Sequence, residues 1–80
     1  MDLDPFSDRP LYQQLADRIR ASIVSGEIGP RVPSAKTLSQ DYEVAQGTAE
    51  RALAVLRLEG LIRSAMGRGH FVTPPDQRKG

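Results

Sequence analysis

Between residues 8 and 26 the apolar positions recur every fourth residue: Leu11, Leu15, Ile19 and Ile23, with Ala16 beside them and the small Ser22 at the edge of the same face. That spacing draws one apolar stripe along a helix and leaves polar residues around the rest of its circumference. Asp8 offers an N-cap, Pro10 suits the first turn because its missing N–H costs no bond there, and Gly26 marks the stop.

A second helical stretch follows Pro33, with Ser34 placed to cap it, Leu38 as its inward residue and an end near Tyr42. Glu43-Val44-Ala45 leaves a tight link before a third stretch, Gln46 to Glu59. Its inward positions are Ala49, Ala52, Leu53 and Leu56, and Gly60 ends it. Small side chains let two helices cross closely, so a short helix, a tight link and a longer helix predict a helix-turn-helix. The period then changes. Leu61-Ile62 and His70-Phe71-Val72-Thr73 read as two strands around Met66-Gly67-Arg68-Gly69, where glycine admits the positive φ of a tight turn. The expected fold is mainly α with a small β-hairpin wing, a winged helix-turn-helix of three helices and two or three short antiparallel strands. Residues 1–9 read as a loose lead-in, 10–73 as the folded domain and 74–80 as a flexible, proline-rich polar tail.

Composition narrows the chemistry. Eighty residues suffice for one domain with one modest core. Lys and Arg number 11 against 10 Asp and Glu, so net charge names no partner. The absence of cysteine excludes disulfides, Cys-based metal sites and a thiol nucleophile. His70 stands alone, with no carboxylate cluster to complete a metal site, and no cofactor is expected. One histidine, no Gly-x-Ser-x-Gly elbow and little chain to enclose a substrate argue against an enzyme. The acidic start MDLDPFSD argues against a secretion or transit signal, and no apolar run approaches membrane-spanning length, so a cytoplasmic protein without a membrane partner is expected.

The wording as well as the order of these elements is familiar. PLYQQLADRIRASIVSGEI, then VPSAKTLSQDYEVAQGTAERALAVLRLEGLI, then GRGHFV, resembles the DNA-binding domain of GntR-type bacterial transcription regulators over residues 10–73. The resemblance implies sequence-specific binding of double-stranded DNA, with a palindromic operator and repression as the expected mode. It also implies that the third helix enters the major groove and the wing the adjacent minor groove. Members of this family usually carry a larger C-terminal domain that binds an effector and dimerises. These 80 residues do not contain one, so a monomer or weak homodimer is expected of the chain alone.

Candidate DNA contacts follow residue by residue. Arg68, freed from crowding by Gly67 and Gly69, suits the negative potential of a narrow minor groove; the plainer reading is a solvated arginine on a hairpin tip. Ser34 begins the second helix, and Ala35 and Lys36 follow where the family has an acidic residue and an arginine. Lys36 keeps the charge without the bidentate fork, which suits phosphate. Ala45-Gln46 replaces the usual Ser-Arg, and glutamine pairs with adenine where arginine prefers guanine. Gly47 sits beside it, and Thr48 matches the family and suits a phosphate or base edge. Glu50, in place of a further arginine, either accepts from cytosine N4 or faces water, and Arg51 either reaches phosphate from the side of the helix or faces water. Arg63 either adds a phosphate contact or lies on a solvated strand face, and His70 sits beside the tip within reach of the backbone. The connector from Gly26 to Val32 is shorter than is usual in such domains, which weighs against the small strand expected near Arg31-Val32. The rival class is a winged helix that binds protein, favoured by the near-zero net charge and the altered third helix; steep salt dependence would separate the two.

Overall fold

The computed structural model describes residues 3–4, 6–65 and 69–73. Three helices and three strands follow in the order α1 (Leu11–Ser25), β1 (Arg31–Val32), α2 (Ala35–Tyr42), α3 (Gln46–Leu58), β2 (Ile62–Ala65) and β3 (Gly69–Val72). This is the winged helix-turn-helix that the apolar pattern predicts, in its three-stranded form.

The stripe on α1 turns inward as its spacing requires: Leu15, Ala16, Ile19 and Ile23 are buried, and Ser22 is half-buried at the edge. The start of this helix corrects the expectation. Pro10, not Asp8, holds the N-cap position, and its carbonyl accepts from the N–H groups of Gln13 and Gln14 at 3.1 and 3.2 Å. Proline has no side-chain oxygen, so the cap is made by backbone alone. Gly26 ends the helix at φ +83°, left-handed backbone that a side chain resists.

Of the described residues ahead of α1, Leu3 and Asp4 make contacts with the folded part. The Gln14 side chain accepts from the Asp4 N–H at 2.7 Å and donates to the carbonyls of Asp4 and Arg9, each at 2.8 Å. Leu3 packs against the core beside it. One amide thus closes a loop that the polar composition alone would leave open.

In α2, Ser34 caps as expected: its Oγ accepts from the Thr37 N–H at 3.2 Å and donates to Thr37 Oγ1 at 3.1 Å. Glu43 then turns the chain at φ +55°, an uncommon conformation for a residue with a side chain. Ser39 holds the turn from both directions, its carbonyl accepting from the Val44 N–H and its hydroxyl donating to the Val44 carbonyl. Beyond it, Ala49, Ala52, Leu53 and Leu56 of α3 are all buried, and the two alanines are fully so. Packing of α3 against both α1 and α2 through alanine brings the helix axes close and fixes which of its faces stays outside.

The sheet is antiparallel with order β1-β3-β2. β1 exists despite the short connector, because Val32 buries its side chain in the core and the Val72 N–H reaches the Pro30 carbonyl at 2.8 Å. Leu61 and Thr73 flank the strands rather than belong to them, joined by a 2.9 Å bond from the Thr73 N–H to the Leu61 carbonyl. Register pairs Ile62 with Val72, Arg63 with Phe71 and Ser64 with His70. Side chains alternate across a strand, so Ser64 and His70 share the inner face with buried Ile62, while Arg31, Phe71 and Arg63 form one row on the outer face.

Candidate nucleic-acid interface

The first turns of α3 carry Gln46, Gly47 and Glu50 as exposed residues, with Thr48 half-buried next to the buried Ala49. Ala45 occupies the N-cap position and has no side-chain group to bond the first-turn N–H groups. The carbonyl of Ala45 does accept from the N–H groups of Thr48 and Ala49, at 3.0 and 3.2 Å. An uncapped helix start presents N–H donors and partial positive charge outward, the arrangement that suits an anion. Gly47 fits the same picture: a Cβ added there would meet nothing within 4 Å. Internal packing therefore gives no reason for a residue that weakens a helix, whereas close approach by an external surface does.

Arg51 points elsewhere. Its guanidinium lies over the ring of Tyr12, on α1, at 4.3 Å from the centroid. This cation–π contact rests one side of the guanidinium on the ring while Arg51 stays exposed. Tyr12 was not legible as a neighbour of Arg51, because only the crossing of α1 and α3 brings the two residues together.

Ser34 and Lys36 lie together at the start of α2, both exposed. The Ser34 hydroxyl is occupied in capping, so Lys36 is the group there with donors to spare. On the wing, Arg63 is exposed on the outer face, beside Phe71 and in one row with Arg31. Gly69 has φ +93°, the left-handed backbone expected of a hairpin glycine. Gly67 and Arg68 lie outside the described residues.

His70 is half-buried on the inner face of the wing. Its Nε2 lies 3.5 Å from Nη1 of Arg57, and the same Nη1 is 3.4 Å from Ser64 Oγ. Burial, and after it the neighbouring Arg57 charge, hold the imidazole below the ordinary histidine range. Arg57 is absent from the sequence-based candidates. The available signal was strand alternation, which turns Ser64 and His70 toward α3 once Ile62 and Val72 are taken as inward.

The far side of α3 is built differently. Arg20 on α1 grips Glu59 with two bonds of 2.9 and 2.6 Å, and a third, of 2.6 Å, reaches Asp17. Arg9 meets the other oxygen of Asp17 at 2.6 Å. These carboxylates raise the already high affinity of the Arg20 guanidinium for its proton. Among the described residues, then, the ion pairs of Arg9 and Arg20 lie on the α1 side, where Arg51 also rests on Tyr12. Also among the described residues, no group of His, Cys, Asp or Glu could hold a metal ion, and no helix is long and apolar enough to cross a membrane.

Comparison with known proteins agrees with the fold. The family model described as bacterial regulatory proteins, gntR family, matches residues 11–72. The HTH-type transcriptional repressor NagR of Bacillus subtilis is 31% identical over 94% of this chain and 32% of its own length. The uncharacterized HTH-type transcriptional regulator YdfD of the same organism is 40% identical over 79% of this chain and 14% of its own. The chain thus spans a third or less of these two relatives. Among solved structures, AraR(DBD) in complex with operator ORX1 superposes with a TM-score of 0.79 at 31% identity, covering 91% of this chain and 93% of that one. YtrA of Sulfolobus acidocaldarius, a GntR-family transcription factor, superposes with a TM-score of 0.81 at 32% identity, over 91% of this chain and 79% of that one. With the family model spanning nearly all of the folded residues, the chain belongs to the GntR family of bacterial regulatory proteins.

Proposed function

We propose that this chain binds double-stranded DNA sequence-specifically as part of a cytoplasmic transcription regulator, with repression as its mode. In this reading α3 enters the major groove, the wing reaches the adjacent minor groove through Arg68, and two copies occupy the halves of a palindromic operator. The carrying observation is the start of α3: an uncapped turn with exposed Gln46, Gly47 and Glu50, in a fold shared with an operator-bound domain 31% identical to it. Helix N-termini of this kind bring side chains to base edges and N–H groups to phosphates. Lys36 and Arg63 supply phosphate contacts, which fix register without reading sequence.

The test is selection of duplexes by this chain from a random pool, followed by titration at several salt concentrations. A specific complex should emerge with binding that weakens steeply as salt rises. Arg68→Ala should weaken it further and flatten the salt slope by about one charge. Unchanged affinity and slope would leave Arg68 a solvated cation, and failure to select any duplex would favour the protein-binding class.

A further inference from the structure

Arg57, Ser64 and His70 converge on one point from three different elements. Arg57 comes from the last turn of α3, Ser64 from β2 and His70 from β3, with the two strand residues paired across the sheet. One guanidinium nitrogen lies within 3.4–3.5 Å of both partners. Among the described residues Arg57 has no carboxylate partner, unlike Arg9 and Arg20 on the opposite side. A cation set against an imidazole, with a hydroxyl beside them and no carboxylate partner among the described residues, is an arrangement that an anion would complete.

The fold says which anion. Resting on the DNA-binding reading above, α3 and the wing occupy neighbouring grooves of one duplex. In that reading the sugar–phosphate strand that separates those grooves passes between α3 and the hairpin, the two parts of the fold that Arg57, Ser64 and His70 join. We infer that they form a phosphodiester site, in which the Arg57 guanidinium, the Ser64 hydroxyl and the protonated His70 imidazole hold one backbone phosphate between the major-groove and minor-groove contacts.

The site carries its own signature. From α3 the charged group facing His70 is Arg57; β2 presents Ser64, and β1 presents Val32 as the cross-strand neighbour, neither of them titratable. In the free protein, burial and Arg57 disfavour the imidazolium. A phosphate seated against the ring favours it, so the histidine pKa rises on binding and the complex takes up a proton. Affinity therefore increases as pH falls toward and below the ordinary histidine value of 6.5. If Arg57 served only to hold the wing through a neutral His70 acceptor, protonation would break that contact and affinity would fall instead.

The experiment uses the full chain and a fluorescent duplex that it has itself selected, intact or carrying one methylphosphonate at each backbone position in turn. Arg57→Gln should lower the salt slope by about one, and one methylphosphonate should weaken the wild type but not Arg57→Gln. His70→Gln should abolish the gain in affinity at low pH while the other phosphates keep their effects. Urea unfolding of each variant confirms that both fold, and Arg57→Lys, which keeps the charge, should restore most of the slope. An unchanged slope in Arg57→Gln, no position whose neutralisation is masked by the variant, or affinity that falls on acidification would each overturn the site. Those outcomes leave DNA binding intact; selection of no duplex at all would overturn that reading and the phosphate site with it.

Discussion

The two ends of α3 are treated in opposite ways. At its C-terminal end the chain is closed: the Gly60 N–H reaches the Arg57 carbonyl, the Leu61 N–H reaches the Leu56 carbonyl, and Arg20 clasps Glu59 with two bonds. At its N-terminal end Ala45 brings no cap, and Gln46 and Gly47 stand exposed. The short α2, by contrast, starts on a fully used serine cap. So stabilising contacts on α3 are concentrated where the helix meets α1 and are sparse where it meets the outside. Residues at the outer end can change with little effect on the fold, which leaves them available for discrimination between partners.

The largest test removes what both ends share. Leu53 lies in the buried middle of α3 at 2% exposure, and Leu53→Ala should destabilise the domain by about 2–5 kcal/mol. In a domain this small that is much of the total stability, and circular dichroism in urea should show both ends lost in one transition. Survival of the wing and α1 with α3 alone melted would mean that the ends are not parts of one cooperative unit.

A smaller effect, confined to the outer end, sharpens the contrast. Gln46→Arg should move base preference from adenine toward guanine at one position of each half-site, by roughly 1–3 kcal/mol, because glutamine offers a donor and an acceptor where arginine offers two donors. Its urea midpoint should match the wild type, since Gln46 is exposed. Identical selected sites for both proteins would place specificity in the wing or in DNA shape.

The smallest effect comes from closing the open end. Ala45→Ser supplies the missing cap oxygen and should stabilise the domain by about 1 kcal/mol, read as a higher midpoint in urea. No gain would show that the first-turn N–H groups are already satisfied, and the difference between the ends would vanish.

What could be read in advance was whatever depends on neighbours along the chain. Every fourth residue of α1 from Leu15 to Ile23 is buried, all four inward positions of α3 are, and Ser34 caps as its place after Pro33 suggests. The exposed start of α3, with Gln46, Gly47 and Glu50, was legible for the same reason, since the start of a helix is a local event. Contacts between distant segments were not. The perch of Arg51 on Tyr12, the Arg20–Glu59 clasp across 39 positions and the approach of Arg57 to His70 depend on how helices cross, which periodicity does not encode. Likewise, the two-residue β1 forms because Val32 is buried and β3 lies alongside, so the length of its connector was a poor guide. Asp8 was a reasonable cap by residue type, but the helix starts beyond its reach, with Pro10 in the cap position.

The three-stranded sheet has a consequence for behaviour at high concentration. A sheet with free edges invites another chain to add a strand, and proteins that avoid this keep their edges short or charged. Here the central strand is β3, so the edges belong to β1 and β2. One is two residues long and carries Arg31; the other is four residues long and carries Arg63. Neither offers the five or six uncharged, apolar positions that a growing cross-β stack requires. Edge-to-edge polymerisation is thus disfavoured in a domain whose wing lies at its surface, and the arginines that do this remain free to face an acidic partner.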